Sequence, residues 1–210
     1  MSTEWQEDMS DSSRLFRDVV WSEVAEWFGN GELILIEGRG DELSKTLDRL
    51  AGVDAFYIDD DRGIQTIASR VQQNARGHRT FTVRLERDSG ARTELAKRAA
   101  ALGGGWLSPH WTVHGYASWP DEEFLNAAVC RTADLVQYVQ TGQPEVDYER
   151  RETNNRGAAE FAAVHWGDLL RWPNRDGEVY VCDPSELTFF AGEEQATLPE
   201  SAAGRGGDVS

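Results

Sequence analysis

Residues 48–72 read DRLAGVDAFYIDDDRGIQTIASRVQ. Two β-rich runs, Val53 to Ile58 and Ile64 to about Gln72, flank a polar tip, Asp59-Asp60-Asp61-Arg62-Gly63. Two such runs joined by an Asp-rich turn that ends in Gly spell a hairpin. Asp54 sits just inside the first strand and Gln65 near the start of the second. Pairing of the two strands can bring these side chains together at one end of a sheet. A one-residue slip in register would separate them.

Around the hairpin the pattern alternates between helix and strand. Leu15, Phe16, Val19, Val20, Val24, Trp27 and Phe28 fall on one face of a helix over about 13–28, closed by Gly29-Asn30-Gly31. Glu32 to Glu37 reads as a short strand, and Glu42 to Leu50 as a second helix. Thr80 to Arg87, TFTVRLER, alternates cleanly, with Phe81, Val83 and Leu85 on one side. A third helix is expected over about 92–102 and a strand over 111–118. A long helix is expected from Asp121 to about Gln140, then a polar loop over 142–157. Two last strands, 158–166 and 178–182, surround a helical turn near 168–170. Such an order is α/β material, a mixed central sheet flanked by helices. The expected layout is one domain over 13–190, between a disordered acidic stretch, 1–12, and a flexible tail, 191–210.

The chain of 210 residues carries a net charge of −16. Lys45 and Lys97 are its only lysines; the other 19 basic residues are arginines. Two readings fit. Hydrated surface carboxylates suit a protein adapted to high salt, where their repulsion is screened; a GC-rich genome also favours Arg over Lys. No apolar run approaches the roughly 18 residues of a membrane span. The acidic opening, MSTEWQEDMSDSS, lacks the basic and apolar regions of a signal peptide. The expectation is a cytoplasmic protein, with Cys130 and Cys182 as reduced thiols rather than a disulfide framework.

The charge is uneven. Between Arg70 and Arg98 stand eight basic residues, Arg70, Arg76, Arg79, Arg84, Arg87, Arg92, Lys97 and Arg98, against Glu86, Asp88 and Glu94. A basic band in so acidic a chain points to a nucleic-acid partner. The bland counterpart is that these arginines pair with carboxylates elsewhere on the surface.

The segments Gly52-Val53-Asp54-Ala55 and Gly63-Ile64-Gln65-Thr66-Ile67-Ala68-Ser69-Arg70, preceded by a helix, resemble the PD-(D/E)XK nuclease-like superfamily over about residues 13–118. The resemblance implies a restriction-endonuclease-like fold and a possible metal-dependent DNA endonuclease, or a catalytically decayed relative that binds nucleic acid. It implies Mg²⁺ held by Asp54, Gln65 and Glu23, which suits the ion's preference for oxygen ligands. It implies Asp54, Gln65 and Arg70 as the catalytic group. Arg70, Arg76, Arg79, Arg84 and Arg87 would then hold DNA phosphates. The lysine position of the motif is occupied by Ile67, which cannot activate water. Arg70 or Arg84 can supply charge but not a base, because arginine stays protonated. The alternative is an acidic, halophilic protein-interaction module with no nucleic-acid role. His110 and His114, four apart on one strand, read as half of a zinc site or as part of an aromatic-rich packed strand.

Overall fold

Residues 12–36, 41–74, 76–87, 90–105, 107–141, 147–153 and 157–184 are described by a computed structural model, with backbone only over 147–159. The chain enters through a π-helical stretch, Phe16–Val20, that continues as helix α1, Trp21–Phe28. Strand β1 (Glu32–Leu35) follows, then α2 (Glu42–Ala51), β2 (Ala55–Asp59) and β3 (Gly63–Asn74). Asp41 caps α2 by accepting from the Ser44 amide at 2.8 Å, and Gly52 closes it at φ +65°, a conformation open to glycine at little cost. The β2–β3 hairpin expected from residues 53–72 is present. Asp59 Oδ1 accepts from the Asp61 and Arg62 amides, so the acidic tip is an Asx-type turn.

Beyond it come β4 (Thr80–Arg87), α3 (Glu94–Gly104), β5 (Trp111–Ser118), β6 (Phe124–Arg131) and α4 (Thr132–Thr141). The last elements are β7 (Asp147–Thr153), β8 (Gly157–His165), α5 (Trp166–Arg171) and β9 (Val179–Cys182). Two expectations are corrected. Residues 124–131 are a strand, and the helix begins only at Thr132. Phe124–Arg131 is buried from Asn126 to Cys130 without alternation; burial on both faces removes the period-2 signal and leaves an apolar run that looks helical. The polar stretch 142–157 contains β7, an edge strand whose charged sequence, DYERRET, hides it. Of the stretch 1–12 only Ser12 is described, and it is helical; the tail 191–210 lies outside the described residues.

The architecture is α/β. A six-stranded mixed sheet runs in the order β1-β2-β3-β5-β6-β9, antiparallel except for the parallel pair β3–β5. A second, antiparallel sheet has the order β4-β8-β7. One face of the large sheet, with Tyr57, Ile67, Val71, Val113 and Val129, packs on Leu15, Phe16, Val20, Val24 and Phe28 of the N-terminal helix. Gly115 lets that helix approach: a Cβ there would stand 2.5 Å from a Val20 methyl. On the opposite face Tyr116, Ala128 and Cys130 meet Phe81 and Val83 of β4, Ala162 and Val164 of β8, and Leu135 and Tyr138 of α4. Helices α2 and α3 close the remainder of that face through Ala51 and Ala101, which cluster with Ile36 and Val53, with Leu47 and Phe56 packed against them.

Candidate functional site

A cavity of about 660 Å³ opens where β3, β4, α2 and α3 meet. Its walls carry Arg49 and Asp48 from α2, Asp54 before β2, and Arg70 and Gln72 from β3. Arg84 and Arg87 come from β4, Glu94, Lys97 and Arg98 from α3, and Arg92 from just ahead of that helix. Seven cations thus face three carboxylates, in a chain whose net charge is −16.

Strand parity explains who arrives. Ala55 pairs with Ile67 and Tyr57 with Gln65, and paired residues share a face. Counting back, Asp54 falls on the face of Ala68, Arg70 and Gln72, whereas Gln65 falls on the other. Gln65 Oε1 there accepts from Trp111 Nε1 at 2.8 Å, beside the Trp27 ring. On β4, Arg84 and Arg87 are three apart and would diverge in a regular strand. A bulge between Arg84 and Glu86 shifts the alternation by one residue, and both line the cavity. On α3, Glu94 and Arg98 are one turn apart and share its inner side.

The Asp54 carboxylate accepts from the Ser69 amide at 2.7 Å, and its backbone joins Ile36 and Ile67. Arg70 pairs with Glu94 at 3.3 Å, and Lys97 with Asp48 at 3.0 Å. Arg70 and Arg84 both stand over the Phe161 ring, 5.5 and 5.1 Å from its centroid, a geometry in which the ring's negative face offsets part of their charge. Burial pushes the Glu94 carboxyl up, but the guanidiniums of Arg70, Arg98, Arg84 and Arg87 outweigh it and hold the group below its ordinary value. Burial, eased in part by Glu94, lowers the Arg84 guanidinium. Among the described residues, Arg84, Arg87 and Arg98 have no carboxylate in ion-pair reach, and the Nε of each is buried without an acceptor. Arg98 is only 6% exposed.

The residues expected from the sequence divide accordingly. Asp54, Arg70, Arg84 and Arg87 come together. Arg76 is exposed away from the cavity, and Arg79 pairs with Asp183 at 2.9 Å. Glu23 is exposed on α1, across the sheet from Asp54. Asp54, Gln65 and Glu23 therefore do not form one coordination site, and no chemical step is assigned to Mg²⁺ through them. Among the described residues, no group of three or more His, Cys, Asp or Glu side chains is placed to hold a metal ion. The two histidines also part: His110 Nδ1 accepts from the Thr66 amide at 3.0 Å, while His114 is buried, stacked on Tyr116.

No protein-family model, curated protein or solved structure matches this chain. The cavity therefore carries the functional argument by its own chemistry. Sequence reasoning placed Arg92, Lys97 and Arg98 in the basic band without singling them out, and missed Arg49, Gln72 and Glu94 as site residues. For Gln72 the signal was present, since every second residue of β3 from Ala68 onward shares the face of Asp54. For Glu94 and Arg98 it was their spacing of four on a helix. The bulge that brings Arg84 and Arg87 together has no mark in TFTVRLER. Among the described residues no helix is long and apolar enough to cross a membrane.

Proposed function

We propose that this chain binds nucleic acid through the cationic cavity, as a PD-(D/E)XK nuclease-like protein in which phosphate binding outlasts the metal chemistry. The observation that carries the proposal is the convergence of seven cations on one cavity of an otherwise acidic molecule. Guanidiniums suit phosphate because their planar forks donate two parallel hydrogen bonds to its oxygens. Collecting them without matching carboxylates costs folding energy, since like charges repel in a partly desolvated space. A polyanionic ligand offsets that cost. The hairpin with Asp54 at its start, lining the same cavity, supports the family resemblance.

A second reading, metal-dependent cleavage of DNA, draws on Asp54 alone, because Ile67 stands at the motif's lysine position and Arg70 is its neighbour on the cavity wall. The deciding experiment uses purified protein over a range of KCl up to molar concentrations. Retention of labelled DNA is measured against salt, and cleavage is assayed with Mg²⁺, Mn²⁺ or chelator. Binding that weakens with salt and is lost on Arg84→Gln with Arg87→Gln supports the proposal, since phosphate contacts release counterions. Metal-dependent cutting lost on Asp54→Ala would support the enzymatic reading. Absence of DNA binding at every salt concentration would overturn both and favour an acidic protein-interaction module.

A further inference from the structure

We propose that the cavity receives the phosphorylated end of a nucleic-acid strand, with the terminal phosphomonoester seated among the guanidiniums of the half-buried Arg84 and Arg87 and the buried Arg98. This inference rests on the nucleic-acid reading above and names its substrate class.

Three observations lead to it. The Nε–H groups of these three arginines are out of solvent and have no acceptor among the described residues. A buried charged group with an unmet donor is costly, and an anionic ligand rich in acceptor oxygens at the cavity-facing edges of the guanidiniums offsets their charge. Phosphate is such a ligand. Its tetrahedral oxygens present lone pairs in several directions, and each guanidinium offers an edge of parallel donors.

The second observation is depth. Arg98 is 6% exposed, so its head is reached only from inside the cavity. The phosphates of an intact duplex lie along a convex outer surface and cannot enter a recess between a sheet and two helices. A strand end can. A terminal phosphomonoester also carries a charge of about −1.5 to −2 near neutral pH, against one per internal diester, which suits a cavity where seven cations meet three carboxylates and Glu94 pairs with Arg70.

The third is size. A volume of about 660 Å³ lies within the range of small-molecule sites and exceeds what a bare phosphate fills. It leaves room for the attached nucleoside. At the mouth, the exposed Arg49 and Arg92 are placed to meet the next diesters of the strand.

The test is equilibrium binding of short single-stranded oligothymidines that differ only in their ends: 5′-phosphate, 3′-phosphate, or hydroxyl at both. Thymidine monophosphate serves as competitor, and Arg98→Gln and Arg84→Gln as variants, each checked for folding by circular dichroism. One phosphorylated end is expected to bind roughly tenfold or more tighter than the hydroxyl strand, the gain of at least one charge-assisted contact. That preference should vanish in whichever variant folds, and the end comparison on the unaltered protein stands even if neither does. Equal affinity for all three strands would overturn the inference and leave the nucleic-acid reading standing. Thymidine monophosphate binding as tightly as the phosphorylated strand would also overturn it, in favour of a small phosphate ligand. No binding of any oligonucleotide would overturn the inference together with the reading on which it rests.

Discussion

The Asp54 carboxylate accepts a 2.7 Å hydrogen bond from the Ser69 amide, tying the chain ahead of β2 to the middle of β3. Asp54→Ala leaves that amide without this acceptor. The expected cost is about 1–3 kcal/mol in urea unfolding at fixed KCl. Asp54→Asn keeps an acceptor oxygen and should lose clearly less. Equal losses in the two variants would show that charge, rather than the hydrogen bond, matters at this position.

Removal of Arg84 and Arg87 should change how DNA affinity responds to salt. For single-stranded DNA, each lost phosphate contact lowers the slope of log K against log salt by about 0.7, so the double Gln variant should lose about 1.4. Arg76→Gln and Arg79→Gln, outside the cavity, should leave the slope unchanged. A slope that responds to Arg76 and Arg79 instead would move the interface out of the cavity.

Glu94→Gln should act in opposite directions on stability and on binding. It removes the carboxylate paired with Arg70 and lying in the field of Arg98, Arg84 and Arg87, which should cost of the order of 1–3 kcal/mol. It also removes the internal competitor for phosphate, so DNA affinity should rise. The folded-state value of Glu94 lies below its ordinary 4.5. Its stabilisation is therefore complete above pH 4.5 and is lost as pH falls through the folded-state value. Glu94→Gln should flatten that acid limb in pH-dependent unfolding. An acid limb unchanged by the substitution would count against the electrostatic role of Glu94 among these arginines.

His114 sets a second, higher window. It is buried, its Nδ1 accepts from the Thr82 amide at 3.2 Å, and burial, with Arg70 and Arg98, holds it well below 6.5. Below pH 6.5 the unfolded chain takes up a proton that the folded protein refuses. Stability should then fall by up to about 1.4 kcal/mol per pH unit, down to the folded-state value. His114→Gln should reduce the slope between pH 5 and 6.5, as read by urea midpoints, leaving the part due to His110, which burial and Arg131 also hold below 6.5. A slope that His114→Gln leaves unchanged would mean that His114 does not set it.

Gly115→Ala should destabilise the fold by about 1–3 kcal/mol, because the added methyl overlaps the Val20 side chain of the N-terminal helix. Val20→Ala in the same molecule should recover part of that loss. No recovery in this double variant would mean that the helix moves as a unit rather than repacking at one contact.

How far the sequence reached depended on which physical signal each element carries. TFTVRLER alternates because one side of β4 meets the core, and the hairpin declares itself because its tip is an Asx turn. FLNAAVCR does not alternate, since β6 is covered by α1 on one face and by the second sheet on the other. At the site, Asp54 and Gln65 looked like partners because they flank one turn. The register sends them to opposite faces: Asp54 lies three positions, an odd offset, before Tyr57, the residue opposite Gln65. Composition marks a basic band over 70–98, yet only tertiary structure separates the arginines that enter the cavity from Arg79, which is neutralised by Asp183.

The parallel pairing of β3 with β5 has a kinetic consequence. Parallel neighbours need a long crossover, and here it comprises residues 75–110, which carry five of the seven cavity cations. Seating β5 beside β3 closes the loop that carries these cations, and closing so distant a pair is intrinsically slow. The guanidiniums are expected to come together in that same step. Refolding should be faster in sulfate than in chloride at matched ionic strength for the intact chain, and Arg84→Gln should narrow the difference. The charges that mark where a ligand sits would then also set when the molecule finishes assembling.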